Sequence, residues 1–251
     1  MAFSASQEHS KLKLALLDSA LQKKIGQGSH HRGLFSALSI NRACTWCFYK
    51  TDKKDLSMNV FIVYAHPSED SFTRYVRDSF IEGLTAAGHS YIISDLYKMG
   101  FNTDMSEAEY YREANYRDDL LLPNDVATEQ NKINSCDALV FIYPVFWTEA
   151  PAKLLGWFNR VWTYGFAYGN RSMKQLKKAL ILCTAGHSLQ HLKEYGHYNA
   201  MKTVMLGDRL FDRAKEKAFI ILDSTAKSDM KVREANWDKH LKTAFEAGHS
   251  L

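Results

Sequence analysis

The sequence predicts an α/β protein built on a doubly wound, five-stranded parallel sheet. Three observations carry that prediction: five short runs that are apolar without alternation, stretches of helical length between them, and Gly or Pro where the pattern changes. Strands that are apolar throughout are buried on both faces, which requires helices on both sides of the sheet.

The elements follow in order. Asn59 to Tyr64 is a continuous apolar run of strand length, Ser71 to Ala87 is an amphipathic helix closed by Gly88, and Tyr91 to Ser94 is a second short strand. Strand, helix, strand in that order implies parallel pairing through a right-handed crossover. The pattern then repeats. Asp125 to Ser135 reads as helix, Ala138 to Tyr143 as a buried strand, Pro151 to Trp162 as a helix with Pro at its start, and Ala179 to Cys183 as a fourth strand. His197 to Phe211 reads as a further helix, Ala218 to Leu222 as the fifth strand, and Val232 to Ala247 as a closing helix before Gly248.

Composition bounds the function. The chain has 251 residues, 46% hydrophobic and 13% aromatic, and four cysteines, with no apolar run long enough to span a bilayer. Disordered, collagen-like, membrane-inserted and disulfide-scaffold classes are therefore excluded, and a reducing, cytoplasmic setting is expected. The formal charge of +4 is uneven: residues 1–57 carry nine Lys and Arg against four acids, and the remainder carries 23 against 24. A nucleic-acid partner is not expected, because the basic excess belongs to the N-terminal segment.

Two domains of different grammar are expected: a basic N-terminal extension over 1–57, poorly ordered or loosely helical, and the α/β domain over 58–251. The extension holds one helical pattern, Lys11 to Ile25, and a lone C-x-x-C, Cys44 to Cys47, without the further ligands of a zinc site or the strand that precedes a redox motif. It reads as a dispensable extension or a start misassigned ahead of Met58, as a weak targeting segment, or as a module of its own.

Ligands of doubly wound sheets bind beyond the C-terminal ends of the strands. After the first strand, His66, Ser71 and Thr73 lead into a helix N-terminus, suited to a phosphate or simply to helix capping. Neither G-x-G-x-x-G nor a P-loop is present. After the third strand come Pro144, Val145, Phe146, Trp147 and Thr148, whose backbone amides and aromatic rings suit a planar heteroaromatic ligand. After the fourth, Thr184, Ala185 and Gly186 let a flat ring approach the backbone, followed by His187, His191 and His197. No metal site is expected from these histidines, since no acidic or Cys ligand falls at the required spacing.

Several segments share the order of a known family: Val63 to Pro67 with Ser71 and Phe72, Ser94 to Tyr97 with Phe101 and Asn102, Asp125 to Gln130, Pro144 to Trp147, Pro151 to Trp157, Arg160 and Val161, Thr163 to Gly169, and Thr184 to Gly186. In these, the chain resembles the flavodoxin-like NAD(P)H:quinone oxidoreductases, the DT-diaphorase-like flavoenzymes. The resemblance implies strand order 2-1-3-4-5 with helices on both faces, a flavin cofactor (FAD ahead of FMN), NAD(P)H as electron donor, a quinone or other aromatic acceptor, and a homodimer. By the same resemblance His66, Ser71, Phe72 and Gln130 hold the phosphates, ribose or nearby part of the flavin. Val145, Phe146, Trp147 and Thr148 line its ring, with Pro144 also among the cofactor-binding residues, and Thr184, Ala185 and Gly186 lie on its pyrimidine side. His197 matches the family histidine that stabilises charge on the reduced cofactor, and His191 stands where the family has a tyrosine. An FMN-dependent azoreductase or flavin reductase is the neighbouring alternative, and a regulatory subunit of a potassium efflux system is the alternative outside enzymes.

Overall fold

The computed structural model describes residues 57–251. The helix expected at Lys11 to Ile25, the Cys44 to Cys47 pair and the rest of the N-terminal extension up to residue 56 lie outside the described residues. The ordered elements are β1 (Asn59–Tyr64), α1 (Phe72–Ala87), β2 (Ser90–Asp95), α2 (Glu107–Ala114), α3 (Asn124–Ser135), β3 (Ala138–Pro144), α4 (Ala152–Val161), β4 (Leu176–Thr184), α5 (Leu189–Glu194), α6 (His197–Lys202), β5 (Ala214–Leu222) and α7 (Met230–His249). The sheet is parallel throughout in the order β2-β1-β3-β4-β5.

Alternation along β1 divides the core in two. Phe61 and Val63 join Phe141, Leu154 and Trp157 under α3 and α4, whereas Val60 and Ile62 join Val140, Phe80, Leu84 and Ala244 under α1 and α7. The second layer is drawn close by two glycines. A Cβ on Gly83 would stand 2.1 Å from the Phe245 carbonyl oxygen, and one on Gly248 would stand 2.1 Å from that of Phe80, so α1 and α7 touch backbone to backbone.

Four features differ from the sequence expectation. β1 and β3 are buried on both faces, but β2 and the first half of β5 are not: Tyr91, Ile92 and Ile93 are exposed on one edge, and Lys215 to Ala218 on the other. Edge strands lack a neighbour on one side, and the charges at the start of β5 discourage further pairing. Two helices, α2 and α5, go beyond that expectation. The helix expected over 197–211 is α-helical only to Lys202 and continues as a π-helical stretch, Thr203–Arg209. Among the described residues no helix is long and apolar enough to cross a membrane.

Candidate active site

Every parallel strand delivers its C-terminal end to the same side of the sheet. The loops after β1, β3 and β4 meet there. The first begins at Ala65, whose N–H pairs with Ile142 O, and runs to Ser71, the N-cap of α1. His66 Nδ1 lies 3.0 Å from both the N–H and the carbonyl oxygen of Ser68, so the Ser68 backbone holds the ring in either tautomer. Burial holds the His66 pKa below its usual 6.5, against a raising contribution from the Ser68 backbone. Ser71 Oγ accepts from Arg74 N–H at 3.2 Å, and the N–H groups of Phe72 and Thr73 in the first turn have no intrahelical partner. Together they form a donor cluster at the positive end of a 16-residue helix.

The loop after β3 is a tight turn. Phe146 and Glu149 exchange N–H···O bonds of 2.8 and 2.9 Å, and the residues between them, Trp147 and Thr148, have φ of 51° and 62°. Left-handed backbone at non-glycine residues costs on the order of 1–3 kcal/mol each, and Thr148 is β-branched. The Trp147 side chain is fully exposed, and the N–H groups of Trp147 and Thr148 are used by no hydrogen bond among the described residues.

After β4 the chain passes Thr184, Ala185 and Gly186 into α5. Thr184 Oγ1 lies 2.9 Å from Thr73 Oγ1, a buried bond that ties this loop to the start of α1. Val145 N–H donates to Thr184 O at 2.8 Å, joining it to the β3 turn. The N–H groups of Gly186 and His187 remain unpaired among the described residues.

The loops after β3 and β4, with α5 and the start of α6, line an open cavity of about 600 Å3. One wall is Val145, Phe146, Trp147 and Thr148; the other is Ala185, Gly186 and His187, with Leu192 and His197 closing it. Seven of the residues expected at the site therefore come together in one cavity. Pro144 and Thr184 are buried at the strand ends behind it, and His66 and Ser71 stand in the adjoining β1 loop. Two expected side chains are occupied elsewhere. The Phe72 ring packs 4.5 Å from that of Trp237 on α7. Gln130 Nε2 donates to Val161 O and Thr163 Oγ1, at 3.0 and 2.9 Å, and so fastens α3 to the end of α4.

His191 lies behind the wall, stacked on His187 with ring centroids 4.3 Å apart and 6.3 Å from His197. Sequence reasoning overlooked Tyr195, whose ring is 4.5 Å from His191 and 6.2 Å from His197. Its signal was available: Tyr195 follows His191 by four residues, one helical turn. Among the described residues no three His, Cys, Asp or Glu side chains are grouped to hold a metal ion.

Residues 58–236 match the Flavodoxin_2 family, described by its flavodoxin-like fold. The chain belongs to this family. Among Flavodoxin_2-like structures, the NAD(P)H:quinone oxidoreductase from Methanothermobacter marburgensis is 43% identical, with a TM-score of 0.73, covering 77% of this chain and 96% of that one. The NAD(P)H dehydrogenase [quinone] 1 of Cavia porcellus is 32% identical over 163 residues, 57% of this chain and 59% of that enzyme. The chain thus spans about three fifths of the length of that relative. The ribosyldihydronicotinamide dehydrogenase [quinone] of Mus musculus is 27% identical over 213 residues, 74% of this chain and 92% of that one.

Proposed function

We propose that this Flavodoxin_2 chain is a flavin-dependent NAD(P)H oxidoreductase whose acceptors are quinones or similar aromatic compounds. The observation that carries the proposal is two pairs of N–H groups without protein partners among the described residues, at Trp147 and Thr148 and at Gly186 and His187, on the two walls of one aromatic and imidazole-lined cavity, with the start of α1 tied to it by the Thr73–Thr184 hydrogen bond. A planar ligand with a polar edge and a phosphate tail fits this donor set.

The residues divide the work. His66, Ser71 and the first-turn N–H groups of α1 would hold the phosphate of the flavin, FAD ahead of FMN. The ring would be held between the wall that carries Trp147 and Thr148 and the wall that carries Gly186 and His187. When bound, the flavin supplies the hydride relay between NAD(P)H and acceptor, donor and acceptor using the same cavity in turn. Reduction of a quinone also consumes a proton, and His197 is the cavity imidazole placed to hold it, with His191 and Tyr195 behind it. Exposed Phe146, Trp147 and Tyr168 give a homodimer an aromatic surface to cover near the site. The setting proposed is cytoplasmic.

The test is the visible spectrum of the purified full chain after incubation with FAD. Flavin bands that stay with the protein through gel filtration, bleach with anaerobic NADH or NADPH and return with a quinone are the expected result. A chain that stays colourless with FAD and with FMN would sink the proposal.

A further inference from the structure

The turn that walls the cavity is fastened from behind by an ion pair that does not touch the cavity. Trp147 and Thr148 hold left-handed backbone without being glycine, a conformation that persists only where the surroundings over-determine it. On the N-terminal side of the turn the fastening is Val145 N–H to Thr184 O. On the C-terminal side it is the Glu149 carboxylate, whose Oε1 accepts from Ala150 N–H at 2.9 Å and from Arg209 Nη1 at 3.1 Å.

Arg209 is held from several directions. Its guanidinium carbon lies 4.9 Å from the centroid of the Phe158 ring, and its Nη1 lies 3.1 Å from Met205 Sδ. Its carbonyl accepts from Trp162 Nε1 at 2.7 Å. The Arg209 side chain is 17% exposed and that of Glu149 38%, so the pair is partly shielded from water and salt. Arg209 also ends the π-helical stretch that continues directly from α6, and α6 begins at His197. The ion pair therefore joins the turn on one wall of the cavity to the helical run that carries His197 on the other.

We infer that Glu149 and Arg209 are positioning residues: their pair fixes the Phe146–Glu149 turn, and with it the free Trp147 and Thr148 N–H groups, at a set distance from His197. The ligand so positioned is the flavin ring, and in that clause the inference rests on the proposed function. Neither side chain lines the cavity, so both act through the turn.

The full chain tests this with Glu149→Gln, which keeps the shape and the Ala150 contact but loses the charge, with Arg209→Met and Arg209→Lys, and with the double swap E149R/R209E. In the flavin-free chain, amide hydrogen exchange at Phe146 and Glu149 is expected to quicken about tenfold in Glu149→Gln and Arg209→Met, and to stay near wild type in Arg209→Lys, while the thermal midpoint moves little. In fluorescence titrations with FAD and with FMN, Kd is expected to rise about tenfold in the first two variants and to fall back toward wild type in the double swap. Unchanged exchange over 145–150 in both charge-removing variants overturns the inference whatever the flavin does. Quicker exchange with an unchanged Kd, for a flavin that the wild type binds, overturns the role in the site. A wild-type chain that binds neither flavin defeats the functional proposal instead, and the exchange measurement alone then decides the pair. Should Arg209→Met fail to fold, Glu149→Gln carries both measurements.

Discussion

The α1/α7 layer and the strand-end cavity are built on opposite terms. In the layer, two helices meet backbone to backbone at Gly83 and Gly248 over a continuous apolar cluster. At the cavity, amides go unpaired, two residues are held in left-handed backbone, and Trp147 stands wholly in solvent. The first region spends nothing that stability could use. The second gives up stability at two adjacent residues, Trp147 and Thr148, which is the pattern of a surface shaped for a ligand rather than for its own packing.

The largest effect that can sharpen this contrast lies in the layer. On helix propensity alone, Gly248→Ala in α7 should stabilise by about 1 kcal/mol. The structure predicts the opposite sign, because the new Cβ would meet the Phe80 carbonyl oxygen at 2.1 Å and α7 must move off α1. A loss of about 3 kcal/mol in urea unfolding is expected, as for a core that is overpacked. A neutral or stabilising result would mean that the two helices are not in contact, and the contrast between the regions would fail at its firmer end.

How much of each region the sequence disclosed differs for a physical reason. The layer and sheet were legible through period: β1, β3, β4 and α1 repeat apolar residues as buried strands and an amphipathic helix must. The cavity was legible through topology, since parallel strands send Thr148, Gly186 and His197 to one side however far apart they lie in the chain. What stayed hidden depends on pairings that no local pattern encodes. Thr73 meets Thr184 across 111 positions and Glu149 meets Arg209 across 60. Phe72 and Gln130 sit in the right segments, yet their side chains are committed to Trp237 and to the end of α4. Helix α2 has few apolar positions to betray it, but its capping box was there to be read: Ser106 Oγ accepts from Glu109 N–H, and the Glu109 carboxylate returns to Ser106 N–H.

A middle-sized effect comes from relieving strain at the cavity. Thr148→Gly places the residue that tolerates φ of 62° where a β-branched one now sits. The net gain in stability is expected to be about 1 kcal/mol, after the greater freedom of glycine in the unfolded chain is set against the relief. Affinity for flavin is expected to fall at the same time, because the turn that presents two amides becomes one of many conformations. Thermal melting and a flavin titration on the same sample check both signs. If the variant loses stability and keeps its affinity, the strain at this turn has been misassigned.

The smallest effect concerns charge rather than packing. In the free protein His66 is held below its usual pKa, chiefly by burial, so near neutrality it is uncharged, with Nδ1 against the Ser68 backbone and no hydrogen bond on Nε2 among the described residues. A phosphate beside that nitrogen favours the imidazolium and raises the pKa in the complex, so binding takes up a proton. The sign follows: affinity rises as pH falls through the pKa of the complex and levels off below that of the free protein. FAD is the ligand to use, since the terminal phosphate of FMN titrates near pH 6 or so and would add a proton of its own. Between pH 7.5 and 6, roughly a threefold tightening is expected, and the ceiling is about tenfold if the phosphate raises the imidazole pKa by about one. His66→Gln should flatten the profile while keeping a donor in place. A slope that survives the substitution would take His66 out of the phosphate site and leave the unpaired amides of α1 to hold the anion alone.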